Sequence, residues 1–79
     1  MLWPGGIRVA TVVKVLELVG ESRRSWQDAA ESAVREASQT VDQITGVEVY
    51  NMTAEVEDGK LTSFKANVKV AFTVDPNRR

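Results

Sequence analysis

The Asp58–Gly59 dipeptide and the long alternating segment after it constrain the fold more than any other feature of this 79-residue chain. Asp-Gly favours a two-residue type I′ turn, in which both central residues have positive φ. From Leu61 to Val74, apolar and polar residues alternate, as in a strand with one buried face. A second strand is predicted from about Val47 to Val56, before the turn. The sequence therefore predicts a long β-hairpin.

A two-residue turn also fixes which residues of the two strands lie opposite each other. On the face that packs against a helix, the register predicts the pairs Val47–Val70 and Val49–Val68. On the second face, it predicts the pairs Glu48–Lys69, Tyr50–Asn67 and Met52–Lys65. Because this second face is rich in large side chains but too mixed for a core, we expect it to line a cavity or to contact a partner.

The first half of the chain predicts a strand followed by one helix. Thr11 to Val19 is rich in β-branched residues and ends at Gly20, which indicates a strand and then a loop. Ser25, with Asp28 three residues later, is typical of a capping box that begins a helix. Apolar residues then recur every three or four positions as one stripe: Trp26, Ala29, Ala30, Ala33, Val34, Ala37, Val41 and Ile44. Thr45–Gly46 is predicted to end this helix, with Gly46 at the C′ position.

These elements predict an α+β fold with the order β-α-β-β. A strand–helix–strand unit normally makes strands one and two parallel, and strand three then fits between them, antiparallel to both, in the sheet order 1-3-2. A three-stranded sheet wrapped on one helix leaves its other face bare. We therefore expect a subunit of this size, without disulfides, to associate with neighbours. Trp26 is predicted to anchor the start of the helix on strand residues or across a subunit contact.

Residues 11–75 are predicted to form the domain, with an N-terminal arm at residues 1–10 and a solvated tail at residues 76–79. Pro4-Gly5-Gly6 is the strongest turn-forming cluster, and it separates the arm from the domain. Two interpretations of Trp3, in the arm, remain open. In the first, Trp3 is a docking anchor on a neighbouring subunit. In the second, it belongs to a flexible leader or follows from a wrongly assigned start codon.

Composition excludes several classes of function. The chain has neither cysteine nor histidine, which removes thiolate catalysis, imidazole catalysis and Cys-ligated zinc. Its net charge is -1, so it lacks the excess positive charge on which nucleic-acid binding depends. No apolar run approaches the ~20 residues that span a bilayer, and no secretory signal is recognisable. We predict a cytoplasmic protein that is not an enzyme and that binds neither nucleic acid nor membrane.

Across about residues 12–74, the sequence resembles the dodecin family. The resemblance rests on the order and spacing of short segments: Val13 to Gly20, Ser22, Ser25–Trp26, Ala33, Ala37–Ser38, Thr40, Glu48–Val49, Glu57 to Lys60, Val68 to Val70 and Phe72. It implies a hollow assembly of twelve subunits, a homododecamer, with the helices outside and the sheets lining the interior. It also implies a storage or protective role rather than turnover.

For flavins, the resemblance implies binding of FMN or riboflavin in stacked pairs, between a Trp and a Gln. Here Gly46 stands at the Trp position and Lys65 at the Gln position, so flavin binding is predicted to be weakened or lost. The flavin positions of the family fall on Gly46, Glu48, Tyr50, Lys65 and Asn67. As an alternative, Tyr50 supplies a substitute ring and flavin is still sequestered. Lys65 either pairs with an FMN phosphate or is a cavity charge or an ion pair with a neighbouring subunit.

For metal ions, the resemblance implies a second possibility, because some relatives that lack the Trp are associated with calcium. Symmetry repeats one carboxylate around an axis, and hard divalent cations take oxygen ligands. The candidate ligands of calcium or another divalent cation are Glu48, Glu55, Glu57 and Asp58, each of which could instead be an ordinary surface or paired carboxylate. Two hypotheses therefore remain, a storage shell for a small ligand and an ion-stabilised or purely structural assembly.

Overall fold

The computed structural model describes residues 12–74, which form three strands and one helix. In chain order these are β1 (Val12–Ser22), α1 (Trp26–Ser38), β2 (Ile44–Glu57) and β3 (Lys60–Val74). The predicted arm at residues 1–10 and the predicted tail at residues 76–79 lie outside the described residues. Within the described part, no helix is long and apolar enough to cross a membrane.

The three strands form one sheet in the order β1-β3-β2, and β3 is antiparallel to both neighbours. This confirms the predicted β-α-β-β order. The hairpin turn is also as predicted, because Asp58 and Gly59 have φ values of 52° and 75° and Glu57 lies opposite Lys60. Positive φ at both central positions is the signature of the type I′ turn.

The β2–β3 register is interrupted by bulges. Near β2's start, Val47–Val70, Glu48–Lys69 and Val49–Val68 are opposed as predicted. The register then shifts between Val49 and Asn51, which leaves Tyr50 as an extra residue without a directly opposite partner. Met52 therefore lies opposite Ala66, and Thr53 lies opposite Lys65. The predicted pairs Tyr50–Asn67 and Met52–Lys65 are wrong, because a register shift between Glu55 and Val56, near the turn, offsets the pairing by one residue until the bulge at Tyr50 restores it.

The start of α1 confirms half of the predicted capping box. Ser25 is the N-cap, and its Oγ accepts a hydrogen bond from the Asp28 N–H at 2.9 Å. The Asp28 carboxylate instead accepts the Ser22 hydroxyl at 2.7 Å, and the same hydroxyl oxygen accepts the Arg24 N–H at 2.9 Å. The helix start is therefore tied to the end of β1.

The predicted end of the helix is wrong. The helix ends at Ser38, and Gly46 is a residue of β2 rather than a C′ cap. The N–H groups of Thr40 and Val41 both donate to the Ala37 carbonyl, and Gln43 then has a φ of 60°. The β-branched residues that follow favour an extended strand over a continued helix, since their side chains are restricted in a helix.

Gly20 lies inside β1 rather than at its end, so the predicted loop begins too early. A Cβ atom at Gly20 would lie 1.8 Å from the Ala29 carbonyl oxygen and 3.3 Å from the Ala33 Cβ. The strand can pass under the helix because this residue has no side chain. Gly20 therefore sets the distance between α1 and the sheet.

The core between the helix and the sheet is made of small side chains. Its buried members are Ala29, Ala33, Ala37, Ala66, Val68 and Val70. By contrast, eleven large apolar side chains among residues 12–74 are exposed, including Val12 at 64%, Val19 at 60% and Val56 at 62%. This distribution is typical of a subunit whose apolar surface is covered by another chain.

Candidate ligand-binding face

The face of the sheet opposite α1, which we call the open face, carries most of the candidate residues. In β3, Ala66, Val68 and Val70 are buried against the helix, so the residues between them lie on the open face. Cross-strand pairing then assigns the rest: Val13, Val15, Glu17, Val19 and Glu21 of β1, and Gly46, Glu48, Asn51, Thr53 and Glu55 of β2. Met52, predicted to lie on this face, is on the helix side.

A cleft of about 270 Å³, the Gly46 cleft, lies at the β2-start end of the open face. Its walls are formed by Val15, Gly46, Val47, Glu48, Lys69 and Ala71. Among residues 12–74, no atom would lie within 4 Å of a Cβ atom at Gly46, so these residues leave room for a side chain there. The cleft combines apolar walls with one carboxylate and one ammonium group, which suits a small amphipathic or cationic ligand.

Lys69, in the wall of the Gly46 cleft, contacts side chains of both neighbouring strands. Its Nζ lies 3.9 Å from the Glu17 carboxylate on β1. The same Nζ lies 5.1 Å from the centroid of the Tyr50 ring, within the range of a cation–π contact. Glu48 lies opposite Lys69 in the ladder, yet among the described residues its carboxylate makes no hydrogen bond or ion pair. In the part of the chain that the structure describes, the cleft therefore has one partnered ammonium and one carboxylate without a protein partner.

Tyr50, the extra residue of the bulge, has an exposed side chain. It is 45% exposed, and the ring lies on the side of the sheet that carries Lys69. Because the Lys69 ammonium lies over one face of the Tyr50 ring, a flat ligand that stacked on this face would have to displace Lys69. Tyr50 is not one of the residues that line the Gly46 cleft.

Lys65 is held between carboxylates from the two neighbouring strands. Its Nζ donates a hydrogen bond to Glu55 at 3.1 Å and lies 3.7 Å from Glu21. The Ser63 hydroxyl also donates to the Glu21 carboxylate, at 3.1 Å. The hydrogen bond that Lys65 donates to Glu55, together with the charges of both carboxylates, raises the pKa of Lys65 above its usual 10.5, although partial desolvation opposes this. The ion pair lies within one subunit.

Sequence reasoning missed Glu21 as a partner of Lys65. The β1–β3 register places Glu21 directly opposite Lys65, but Glu21 was assigned to a loop because Gly20 was taken as the end of the strand. The alternating pattern Val13, Val15, Glu17, Val19, Glu21 would have indicated the longer strand.

A second cleft of about 400 Å³, the polar cleft, lies at the hairpin end of the open face. It is lined by Glu21, Ser22, Arg23, Glu55, Glu57, Thr62 and Ser63. Two of the predicted metal ligands, Glu55 and Glu57, are in its wall. Glu55 already accepts the Lys65 ammonium.

The four predicted metal ligands do not converge in one subunit. Glu48 lies at the Gly46 cleft, whereas Glu57 and Asp58 lie at the hairpin turn, roughly 30 Å away at 3.4 Å per strand residue. Within residues 12–74, no group of three or more acidic side chains is placed to hold a metal ion. A cation at any of these residues would therefore need ligands from more than one subunit.

Trp26 occupies the anchoring position that was predicted for it. Its Nε1 donates to the Thr53 carbonyl at 2.9 Å, and its ring meets Phe64 edge to face at 4.9 Å. The indole therefore ties the start of α1 to the β2–β3 hairpin, next to the bulged segment.

Comparison with known proteins gives a consistent result. Residues 12–75 match the family model for dodecin. Over 66 residues, the chain is 30% identical to a calcium dodecin from Mycobacterium tuberculosis, covering 84% of this chain and 93% of that protein. The crystal structure of that calcium dodecin aligns with a TM-score of 0.70 at 29% identity, covering 87% of this chain and 99% of the other. A dodecin from Streptomyces coelicolor aligns with a TM-score of 0.78 at 28% identity, covering 86% and 97%.

Proposed function

Because the chain belongs to the dodecin family, we propose that it is a non-enzymatic subunit of a hollow dodecamer whose interior binds or stores a divalent cation or a small ligand. The open face lines that interior. Calcium is the first cation to test, because the chain is 30% identical to a calcium dodecin. Flavin binding is weakened or lost relative to the flavin-binding pattern that the sequence resembles.

The observation that carries this proposal is the exposed apolar surface of the open face. Val13, Val15 and Val19 all lie on it and are 49%, 53% and 60% exposed. Burying about 25 cal/mol per Å² of such surface is the main force available to a subunit whose own core is built of alanine and valine. Edge-to-edge packing of copies around a shared interior would cover part of that surface, and the rest would line the cavity.

Glu48 is our proposed cation ligand. Its carboxylate has no protein partner within the described residues, it faces the Gly46 cleft, and symmetry would bring copies of it together around an axis. Glu55 is a weaker candidate, because its carboxylate already accepts the Lys65 ammonium at 3.1 Å. A hard divalent cation needs several oxygen ligands, and copies of one glutamate with water could supply them.

Three features support weak flavin binding. Gly46 offers no ring on which a flavin could stack. The charge of Lys65 is already balanced by two carboxylates, which leaves little attraction for an FMN phosphate. The Lys69 ammonium lies over one face of the Tyr50 ring, so a flavin that stacked on that face in place of the missing Trp contact would have to displace it.

The test combines mass with calorimetry. Light scattering should give a particle of about 104 kDa, twelve times the 8.7 kDa chain. Calcium should then bind to the wild-type particle, and Glu48→Gln should abolish binding, whereas Glu57→Gln, its matched control on the same strand, should leave it unchanged. A monomer in solution would contradict the proposed shell. Loss of calcium binding in Glu57→Gln alone would move the cation to the polar cleft and contradict the role of Glu48.

FMN and riboflavin titrations complete the test. We expect little quenching of flavin fluorescence by the intact particle. Strong quenching at a fixed flavin-to-subunit ratio would contradict the predicted loss, and its disappearance in Tyr50→Ala would then favour the Tyr50 alternative.

A further inference from the structure

The Gly46 cleft is open in the described part of the chain, and its walls are mainly apolar. Val15, which lies on the open face and lines the cleft, is 53% exposed. The volume of about 270 Å³ and the open space beside Gly46 suit a flat aromatic group. At the rim, Glu48 offers an oxygen acceptor without a protein partner among residues 12–74. An indole, which is apolar apart from a single N–H donor, matches this combination.

The sequence supplies such a group close to the cleft. The chain has two tryptophans, and Trp26 is committed to Phe64 and to the Thr53 carbonyl. The other, Trp3, lies nine residues before Val12, where β1 begins.

The length of chain between Trp3 and Val12 is sufficient for Trp3 to arrive at the cleft. Nine residues span at most about 30 Å, whereas the cleft wall at Val15 is three strand residues, or about 10 Å, from Val12. Val13, 49% exposed on the same face, extends the apolar surface from the start of β1 to the cleft.

We propose that the Trp3 side chain docks in the Gly46 cleft of its own subunit, as a built-in occupant that an aromatic ligand would have to displace. Residues 1–11 are thus the docking segment, and the occupant is this chain rather than a second protein. The proposal does not depend on calcium binding or on the number of subunits, because its readouts need no added ligand.

Fluorescence tests the proposal directly. In a Trp26→Phe background, Trp3 is the remaining tryptophan. Its emission should lie at short wavelength and be quenched by acrylamide several-fold less than that of a peptide of residues 1–11. Adding Gly46→Leu fills the cleft and should shift the emission and quenching to the values of that peptide. Thr53→Leu, which adds the same side chain to the same face of the strand outside the cleft, should change neither.

Two results of this experiment would overturn the proposal. The first is peptide-like emission of Trp3 in the parent variant. The second is protected emission that Gly46→Leu leaves unchanged, because the ring would then be buried elsewhere.

Cross-linking gives a second test that keeps Trp26 and therefore does not rely on the Trp26→Phe variant. The chain has no cysteine, so Trp3→Cys with Gly46→Cys introduces a single pair of thiols. A disulfide needs the two Cα atoms within about 7 Å. On mild oxidation, we expect a cross-link between the peptides of residues 3 and 46 within one subunit. Absence of the cross-link, or a cross-link that joins two subunits, would refute docking within the same subunit.

Discussion

Replacement of Gly20 by alanine tests how closely α1 packs on the sheet. Gly20 does not have a positive φ, so its backbone accepts alanine and any effect comes from the added methyl group. That group would lie 1.8 Å from the Ala29 carbonyl oxygen and 2.8 Å from the carbonyl carbon. Both atoms belong to the helix backbone and cannot rotate away.

The size of the effect follows from the displacement that the methyl group requires. Restoring even a tight contact of 3.0 Å would move the helix by about 1.2 Å, away from a core whose side chains are no larger than valine. Overpacking costs about 1–3 kcal/mol and occasionally more, and a backbone obstacle places Gly20→Ala at the upper end. At about 4–8 °C per kcal/mol for a domain of this size, roughly 3 kcal/mol lowers the melting temperature by roughly 12–24 °C.

The assay is thermal unfolding followed by circular dichroism at one fixed subunit concentration, since association makes the midpoint concentration-dependent. Gly46→Ala is the matched control, because its methyl group meets no atom within 4 Å and should change stability by less than about 0.5 kcal/mol. Equal melting temperatures for the two variants would refute the close approach of α1 to β1.

Three further predictions concern the two faces of the sheet. Gly46→Trp should raise riboflavin affinity about ten- to hundredfold, since stacking contributes ~1–3 kcal/mol per ring; a fluorescence titration without gain would contradict an accessible cleft. Glu55 raises the pKa of Lys65 above 10.5, so the stabilisation is complete below that pH and lost as pH rises through the raised value. Unfolding free energies should therefore fall more steeply at alkaline pH for wild type than for Lys65→Gln; equal slopes would argue against the pair. Trp26→Phe should cost about 1 kcal/mol in urea unfolding, because the Thr53 carbonyl loses its donor; an unchanged midpoint would contradict this.

The sequence predicted the hairpin correctly from a local signal, and the strand order from the hairpin together with the usual geometry of a strand–helix–strand unit. Asp58–Gly59 has the backbone that a two-residue turn requires, and Ser25 has the hydroxyl that caps a helix. Family resemblance added the expectation of an assembly and placed Gly46 at a ligand position, where the structure has a cleft.

The remaining errors came from interactions that the local pattern does not contain. The register shift between Glu55 and Val56 depends on how β2 fits β3 along its length, so the pairing of Met52 could not be predicted from the turn alone. Gly20 was taken as a strand end because glycine usually interrupts strands. Here its lack of a side chain lets α1 pack closely on β1. The partners of Lys65 are Glu21 on β1 and Glu55 on β2, and they are close to it only because of the register of the whole three-stranded sheet.

The bulge at Tyr50 also determines which residues of β2 share a face of the sheet. Because Tyr50 has no opposite residue, the ladder on either side of it would stay in register if that one position were removed. Glu48 and Glu55 are seven residues apart, an odd spacing that would put them on opposite faces of an unbroken strand. The extra residue is what brings both carboxylates to the open face. A relative with one residue fewer between Val49 and Asn51 would therefore keep the same pairs on each side, with acidic groups on the same surface and no aromatic ring between them.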